Sequence, residues 1–238
     1  MQTLSAVTAI ILAGGLGTRL RSVVVDRPKV LAEVNGRPFL TYLLHQIAEA
    51  GMQRAVFCTG YLQEQVQEAF GSQYAGVQLS YSPELTPLGT GGALRQAMQE
   101  VTSETVLVMN GDSFCEANLK DFWEAHQQGY EGHEVGTLML THVSNTGRYG
   151  AVQVSETGDI LSFAEKSNSQ EPGWINAGIY LLPRRWLLSL PEDKPISLER
   201  EVFPTWIGHG LRGYQNQGRF IDIGTPESYA AAQLFFKN

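Results

Sequence analysis

Cysteine is nearly absent from this sequence. There are two in 238 residues, Cys58 and Cys115, and neither belongs to a C-x-x-C pair. That argues against a disulfide framework or a cysteine zinc site, and reads both thiols as small buried residues near strand ends. No run of about 18 apolar residues occurs, so no membrane-spanning helix is expected. The amino terminus lacks a basic region followed by an apolar run, so no signal peptide is expected either. Basic charge is scarce too. The 17 Lys and Arg against 24 Asp and Glu give a net charge of −7, and the longest basic tract is Arg184-Arg185. Neutralising a nucleic-acid backbone needs a basic face, so nucleic-acid binding is not expected. A few cations focused in one cleft could still hold a small phosphate ligand. The five His show no H-x-x-x-H spacing and read as surface or packing residues. These absences leave a soluble cytoplasmic protein as the default expectation.

What is present argues for a packed interior. Hydrophobic residues make up 43% of the chain, with 4 Trp, 9 Tyr and 10 Phe spread along it. Trp123, Trp174, Trp186 and Trp206 read as core and rim residues. The length fits one domain over residues 1–238. The β-branched run 7–12 reads as a buried strand that ends in glycines. Helical spacing over 39–50 stops at Gly51, and a helix over 62–70 stops at Gly71. Strands are expected at 54–59, 77–81 and 105–109, with a helix over 93–101. This alternation predicts an α/β fold, a mainly parallel mixed sheet with helices on both faces. Beyond residue 112 the pattern changes to strands at 135–143, 151–154, 160–164 and 175–182, with a hairpin turn at Gly158-Asp159. Helices over 198–207 and 226–236 and a short strand over 219–223 complete the reading.

The strongest chemical signal is Leu12-Ala13-Gly14-Gly15-Leu16-Gly17-Thr18-Arg19-Leu20. Glycines directly after a strand let the backbone turn sharply and bring N–H groups close to an anion. Arg19 adds a fixed cation with a fork suited to phosphate oxygens. Alone, such a turn is almost as well explained as an ordinary strand end. It is neither a Walker A loop nor the dinucleotide fingerprint. Arg27-Pro28-Lys29-Val30-Leu31 follows about ten residues later.

This combination resembles the sugar-1-phosphate nucleotidyltransferases, and the resemblance runs from about Thr8 to Tyr229. Leu88-Gly89-Thr90-Gly91-Gly92-Ala93 is similar to the family's nucleobase loop, and Asn110-Gly111-Asp112 to its metal-binding turn. Glu165-Lys166, Asn176-Ala177-Gly178 and Asp222-Ile223-Gly224-Thr225-Pro226 resemble its sugar-side and second metal elements. The resemblance implies a GT-A-like, Rossmann-like fold with a nucleotide half over about 1–112 and a sugar half over about 113–238. It implies transfer of a nucleoside monophosphate from a nucleoside triphosphate to a sugar 1-phosphate, with release of pyrophosphate. Arg19, Lys29 and Asp112 would be catalytic. Leu12, Ala13, Gly14, Gly15, Gly17, Thr18, Glu84, Gly89, Thr90 and Gly91 would bind the nucleotide. Gly150, Glu165, Lys166, Asn176 and Gly178 would bind the sugar phosphate, and Asp112 with Asp222 would hold Mg2+. Outside that set, a turn residue is the better account of Asp112 and a helix-adjacent cap of Asp222, and Glu165-Lys166 reads as an exposed ion pair of little worth. The implied setting is nucleotide-sugar supply for cell-surface polysaccharide, with a homo-oligomer left open. No left-handed β-helix is expected after Asn238.

Base and sugar follow from finer detail. Uridylyl- and thymidylyltransferases of this family carry Gln near the base loop, where this chain has Glu84. A carboxylate can accept from both N1–H and the N2 amino group of guanine, whereas uracil offers one donor. The text from Arg19 to Leu40 resembles the short D-glycero-α-D-manno-heptose 1-phosphate guanylyltransferases. It departs from the usual family pattern at Ser22-Val23-Val24 and Ala32-Glu33-Val34. GTP and a heptose or mannose 1-phosphate are therefore the expected substrates. The alternatives are a uridylyl- or thymidylyltransferase for hexose 1-phosphate, or a non-catalytic nucleotide-sugar sensor. A metal-dependent glycosyltransferase would carry D-x-D, where this chain has Gly111-Asp112-Ser113.

Overall fold

The computed structural model describes residues 2–15, 17–20, 22–60, 62–129, 134–164 and 171–237. Strand β1 (Thr8–Leu12) enters the glycine loop. A hairpin of β2 (Glu33–Val34) and β3 (Arg37–Pro38) turns through Asn35 and Gly36, both at positive φ, as Asn-Gly turns prefer. Then come α1 (Leu40–Glu49), β4 (Arg54–Thr59), α2 (Gln63–Phe70), β5 (Gln73–Tyr74), β6 (Val77–Pro83), α3 (Gly89–Ala97) and β7 (Thr105–Asn110). The second half holds β8 (Ser113–Cys115), α4 (Leu119–Gln128), β9 (Gly136–Val143), β10 (Val152–Val154), β11 (Ile160–Phe163), β12 (Gly173–Pro183) and α5 (Arg184–Leu188). It ends with α6 (Phe203–Trp206), β13 (Leu211–Asn216), β14 (Phe220–Asp222) and α7 (Pro226–Phe235).

Eight strands form one sheet in the order β13-β9-β12-β7-β1-β4-β6-β5, so both halves of the chain contribute. Strands β7, β1, β4 and β6 are parallel, and β12 joins them antiparallel to β7. Successive side chains of a strand point to opposite faces. Ala9 and Ile11 accordingly pack under α1, α2, α4 and α7, while Ile10 packs under α3, α5 and α6. Because both faces are covered, the central strands are continuous apolar runs. Their carboxyl ends, Leu12 and Asn110, lie side by side, and ligands of open α/β sheets bind at such an edge.

Several features depart from the sequence expectation. Helix α3 begins at Gly89, four residues early, because its glycines let its first turn lie directly on the chain at 194–196. The Gly91 N–H donates to the Ile196 carbonyl at 2.9 Å, and a Cβ on Gly92 would stand 2.6 Å from the Lys194 carbonyl oxygen. Helix α4 and edge strand β13 are additional elements. The stretch at 198–207 opens with a wide π turn, Leu198–Val202, before the short α6. The 219–223 strand exists as β14, but it leaves the main sheet and pairs with β8. The Gly158 turn joins β10 to β11 with a φ of +87°.

Candidate active site

A cavity of about 310 Å³ opens at the carboxyl edge of the sheet. Its floor is Leu12 and Asn110, and its walls are the glycine loop, the first turn of α3, Glu84, Lys29 and Asp112. A larger cavity, about 660 Å³, lies at the opposite edge near Thr105, Trp123 and Arg184. It gathers none of the expected site residues.

The glycine loop is shaped by close approach. Ala13 N–H donates to the Cys58 carbonyl at 2.8 Å. A Cβ on Gly14 would collide with the Glu84 carboxylate, whereas one on Gly15 would meet open space. Gly17, at φ +59°, lies against the Lys29 stem. Leu20 is buried and anchors the loop, while Thr18 and Arg19 are exposed and do not line the cavity. Leu16 lies outside the described residues.

Glu84 is held in place. Its Oε2 accepts from Leu88 N–H at 2.8 Å. Burial pushes its carboxyl above the ordinary range, against the opposing pull of that N–H. Gly89 and Thr90 line the cavity, but Gly91 does not; it is buried against Ile196. The Thr90 hydroxyl donates to Glu199 Oε2 at 2.8 Å and accepts from Leu198 N–H at 2.8 Å. Through Glu199 it meets the buried Tyr180 hydroxyl at 3.4 Å, and Tyr180 accepts from Asn176 Nδ2 at 3.0 Å. Asn176 in turn accepts from Gly178 N–H at 2.8 Å. Glu199 and Tyr180, absent from the sequence reading, thus join the base-side turn to the sugar-side strand. No local pattern marks them.

The turns that carry the two carboxylates expected at the metal come together across the β8–β14 pair, where Asp222 faces Ser113. The Ile223 N–H donates to the Asp112 carbonyl at 2.9 Å, which ties the two turns. Lys29 Nζ donates to Asp112 Oδ2 at 2.6 Å. Asp222 accepts from the Tyr149 hydroxyl at 2.6 Å, Gly224 N–H at 2.6 Å, Ser228 Oγ at 3.1 Å and an Arg148 nitrogen at 2.9 and 3.0 Å. Burial pushes its carboxyl up, but these donors outweigh burial and hold it below its ordinary value. Among the described residues no three His, Cys, Asp or Glu side chains gather as a metal cage. Two hard carboxylates fit Mg2+, which takes one or two from the protein and completes its shell with water and phosphate. Asp112, with its side chain 46% exposed, is the accessible one. Asn110 adds a buried Oδ1 with no hydrogen-bond partner among the described residues.

On the sugar side, Gly150 adopts φ +85° directly after Tyr149. Gly178, at φ +76°, lies so close to Asn110 and Ser113 that a Cβ would stand 2.8 Å from Asn110 Nδ2. Neither they nor Asn176 line the 310 Å³ cavity, but Gly178 adjoins its Asn110 floor. Glu165 and Lys166 lie outside the described residues. Both cysteines are buried, and burial raises their thiols, Cys115 to about 11. Neither is suited to act as a thiolate.

A family model described as Nucleotidyl transferase matches residues 8–238. D-glycero-alpha-D-manno-heptose 1-phosphate guanylyltransferase of Aneurinibacillus thermoaerophilus is 34% identical over 226 residues, covering 94% of this chain and 96% of that one. Mannose-1-phosphate guanylyltransferase of Mycobacterium tuberculosis is 34% identical over 227 residues; the match covers 94% of this chain but only 62% of that longer protein. The crystal structure of HddC from Yersinia pseudotuberculosis complexed with GMP-PN is 31% identical, with a TM-score of 0.84, covering 97% of this chain and 100% of that chain.

Proposed function

The chain belongs to the nucleotidyl transferase family, and from that premise we propose that it transfers GMP from GTP to D-glycero-α-D-manno-heptose 1-phosphate or mannose 1-phosphate, releasing pyrophosphate. The placement of Glu84 carries the choice of base. Its Oε2 is fixed by Leu88 N–H and its Oε1 stands over Gly14 at the cavity wall. A guanine there offers two adjacent donors, and a base without them leaves a half-buried acceptor unpaired at a cost of about 1–3 kcal/mol. Relatives matching over nearly their whole length and named for heptose 1-phosphate support the choice of sugar.

In this reaction a phosphate oxygen of the sugar attacks the α-phosphorus and the bond to the β-phosphate oxygen breaks. The sugar phosphate is already a dianion near neutral pH, so no protein nucleophile is required. The work of the protein is to place two anions together and to meet the charge that builds on the transferring phosphoryl group. The Gly14 and Gly15 backbone faces the cavity, and there its N–H groups would meet the triphosphate. Lys29 would supply a cation from the wall and Arg19 a second from the exposed arm of the loop. Asn176 and Gly178, with Glu165 and Lys166, would orient the sugar phosphate. Mg2+ held by Asp112 and Asp222 would neutralise phosphate charge as a Lewis acid. In this reading the enzyme works in the cytoplasm and supplies an activated sugar for cell-surface polysaccharide.

The deciding experiment is a matrix of GTP, UTP, dTTP and ATP against heptose, mannose and glucose 1-phosphates, read by pyrophosphate release. GTP with heptose or mannose 1-phosphate should dominate. Faster turnover of UTP or dTTP with every sugar would overturn the guanine assignment, and no release with any pair would favour a sensor.

A further inference from the structure

The pairing of the two site carboxylates with two site cations has a consequence for how the metal binds. Resting on the reading that Asp112 and Asp222 hold the divalent ion, we propose that Lys29 and Arg148 are exchangeable partners of those carboxylates. The ion replaces them only when triphosphate oxygens are present to receive the displaced cations. Arg148 thereby becomes a further nucleotide-binding residue.

Asp222 is the more fully bound of the two carboxylates. An ionised carboxylate has about four lone-pair positions, and four donor groups fill them here. Three are neutral and built into the structure: a backbone N–H, a buried serine in the first turn of α7, and the hydroxyl of Tyr149. The fourth is a guanidinium on a side chain 48% exposed. A metal must displace one donor, and Arg148 is the one whose departure unmakes the least structure and removes positive charge where positive charge arrives. At Asp112 the Lys29 ammonium holds Oδ2 at 2.6 Å, so that oxygen reaches a metal only once the ammonium moves. The Lys29 ammonium lies between the two turns, 3.7 Å from where a Gly224 Cβ would stand.

Charge then sets the order of events. Two carboxylates and two cations balance. A divalent ion arriving alone would leave both displaced cations within a few ångströms of it, held there by the anchored Lys29 stem and the short 146–150 turn. A triphosphate brings the negative charge that accepts them. Ion and nucleotide therefore bind with positive coupling, and the coupling is reciprocal.

The test is Mn2+ binding to the full chain by electron paramagnetic resonance, without nucleotide and without turnover. Wild type should bind Mn2+ weakly. Arg148→Gln should bind it about tenfold more tightly while losing several-fold in GTP affinity, and Arg148→Lys should restore the weak binding. Lys29→Met should shift Mn2+ affinity in the same direction as Arg148→Gln. If neither Arg148→Gln nor Lys29→Met binds Mn2+ more tightly than wild type, the exchange is wrong. Adding Asp112→Asn or Asp222→Asn to Arg148→Gln should abolish the gained binding. Gained binding that survives both additions would instead overturn the assignment of the metal to these carboxylates.

Discussion

Two glycine-rich turns that look alike in the sequence have different reasons for their glycines. At Gly15 a side chain would point into open space beside the cavity, whereas at Gly89, Gly91 and Gly92 it would strike the chain at 194–196. Gly15 spares room for a ligand, whereas Gly14 beside it and the glycines of the second turn let segments of the protein touch. Glycine permits both for the same reason, the missing Cβ. The phosphate side of the site should therefore respond to substitution in turnover, and the base-loop side in stability.

The largest effect expected is at Asp112, the accessible carboxylate. Asp112→Ala should lower Mg2+-dependent turnover by roughly a thousandfold or more, while its melting temperature stays close to wild type. Normal turnover would mean the metal is held elsewhere. The sharpest contrast uses one substitution twice. Gly15→Ala should lose about ten- to a hundredfold in turnover by crowding the phosphate, with unchanged melting temperature. Gly92→Ala should unfold earlier, by roughly 1–3 kcal/mol, or about 5 °C for a chain of this size. Calorimetry beside a pyrophosphate assay reads both, and equal losses of stability would erase the distinction.

Arg19→Ala should cost about tenfold in turnover with no change in stability, because its side chain is exposed and supports no core. Wild-type turnover would remove Arg19 from the reaction. The smallest effect expected is at Glu84. Glu84→Gln should narrow the preference for GTP over other triphosphates about tenfold while sparing the maximal rate with GTP. Burial raises the Glu84 carboxyl above its ordinary range, so its charge is present above that raised value and lost as pH falls through it. Discrimination among bases should fade on the acidic side before the fold does, measured as the ratio of kcat/KM values across pH. A ratio flat with pH would place Glu84 outside base recognition.

Much of the fold was legible locally. The apolar runs at β1 and β7 mark buried strands because both faces of the central sheet are covered, and Gly51 and Gly71 mark where α1 and α2 stop. Helix α4 carries its own signal in Leu119, Phe122, Trp123 and His126, which recur at helical spacing and are all buried, although strands surround it along the chain. Strand β13 carries almost none. Gly213 and Asn216 are poor strand formers, and the segment is a strand because it pairs along the sheet edge with β9.

The sequence by itself determined the central strands, the glycine turn that follows the first of them, and the kinds of residue available to meet phosphate and metal. Those depend on neighbours along the chain, through periodicity and through the conformations glycine and proline allow. Only the tertiary structure decided which of those residues meet. The Asp112 turn meets the Asp222 turn because β8 pairs with β14, Glu84 closes over Gly14 because β6 lies beside β4, and Glu199 joins Thr90 to Tyr180 because the glycines of α3 admit the chain at 194–198. Each is a contact between segments distant in the chain. It is fixed by sheet order and close packing, and no pattern of adjacent residues encodes it.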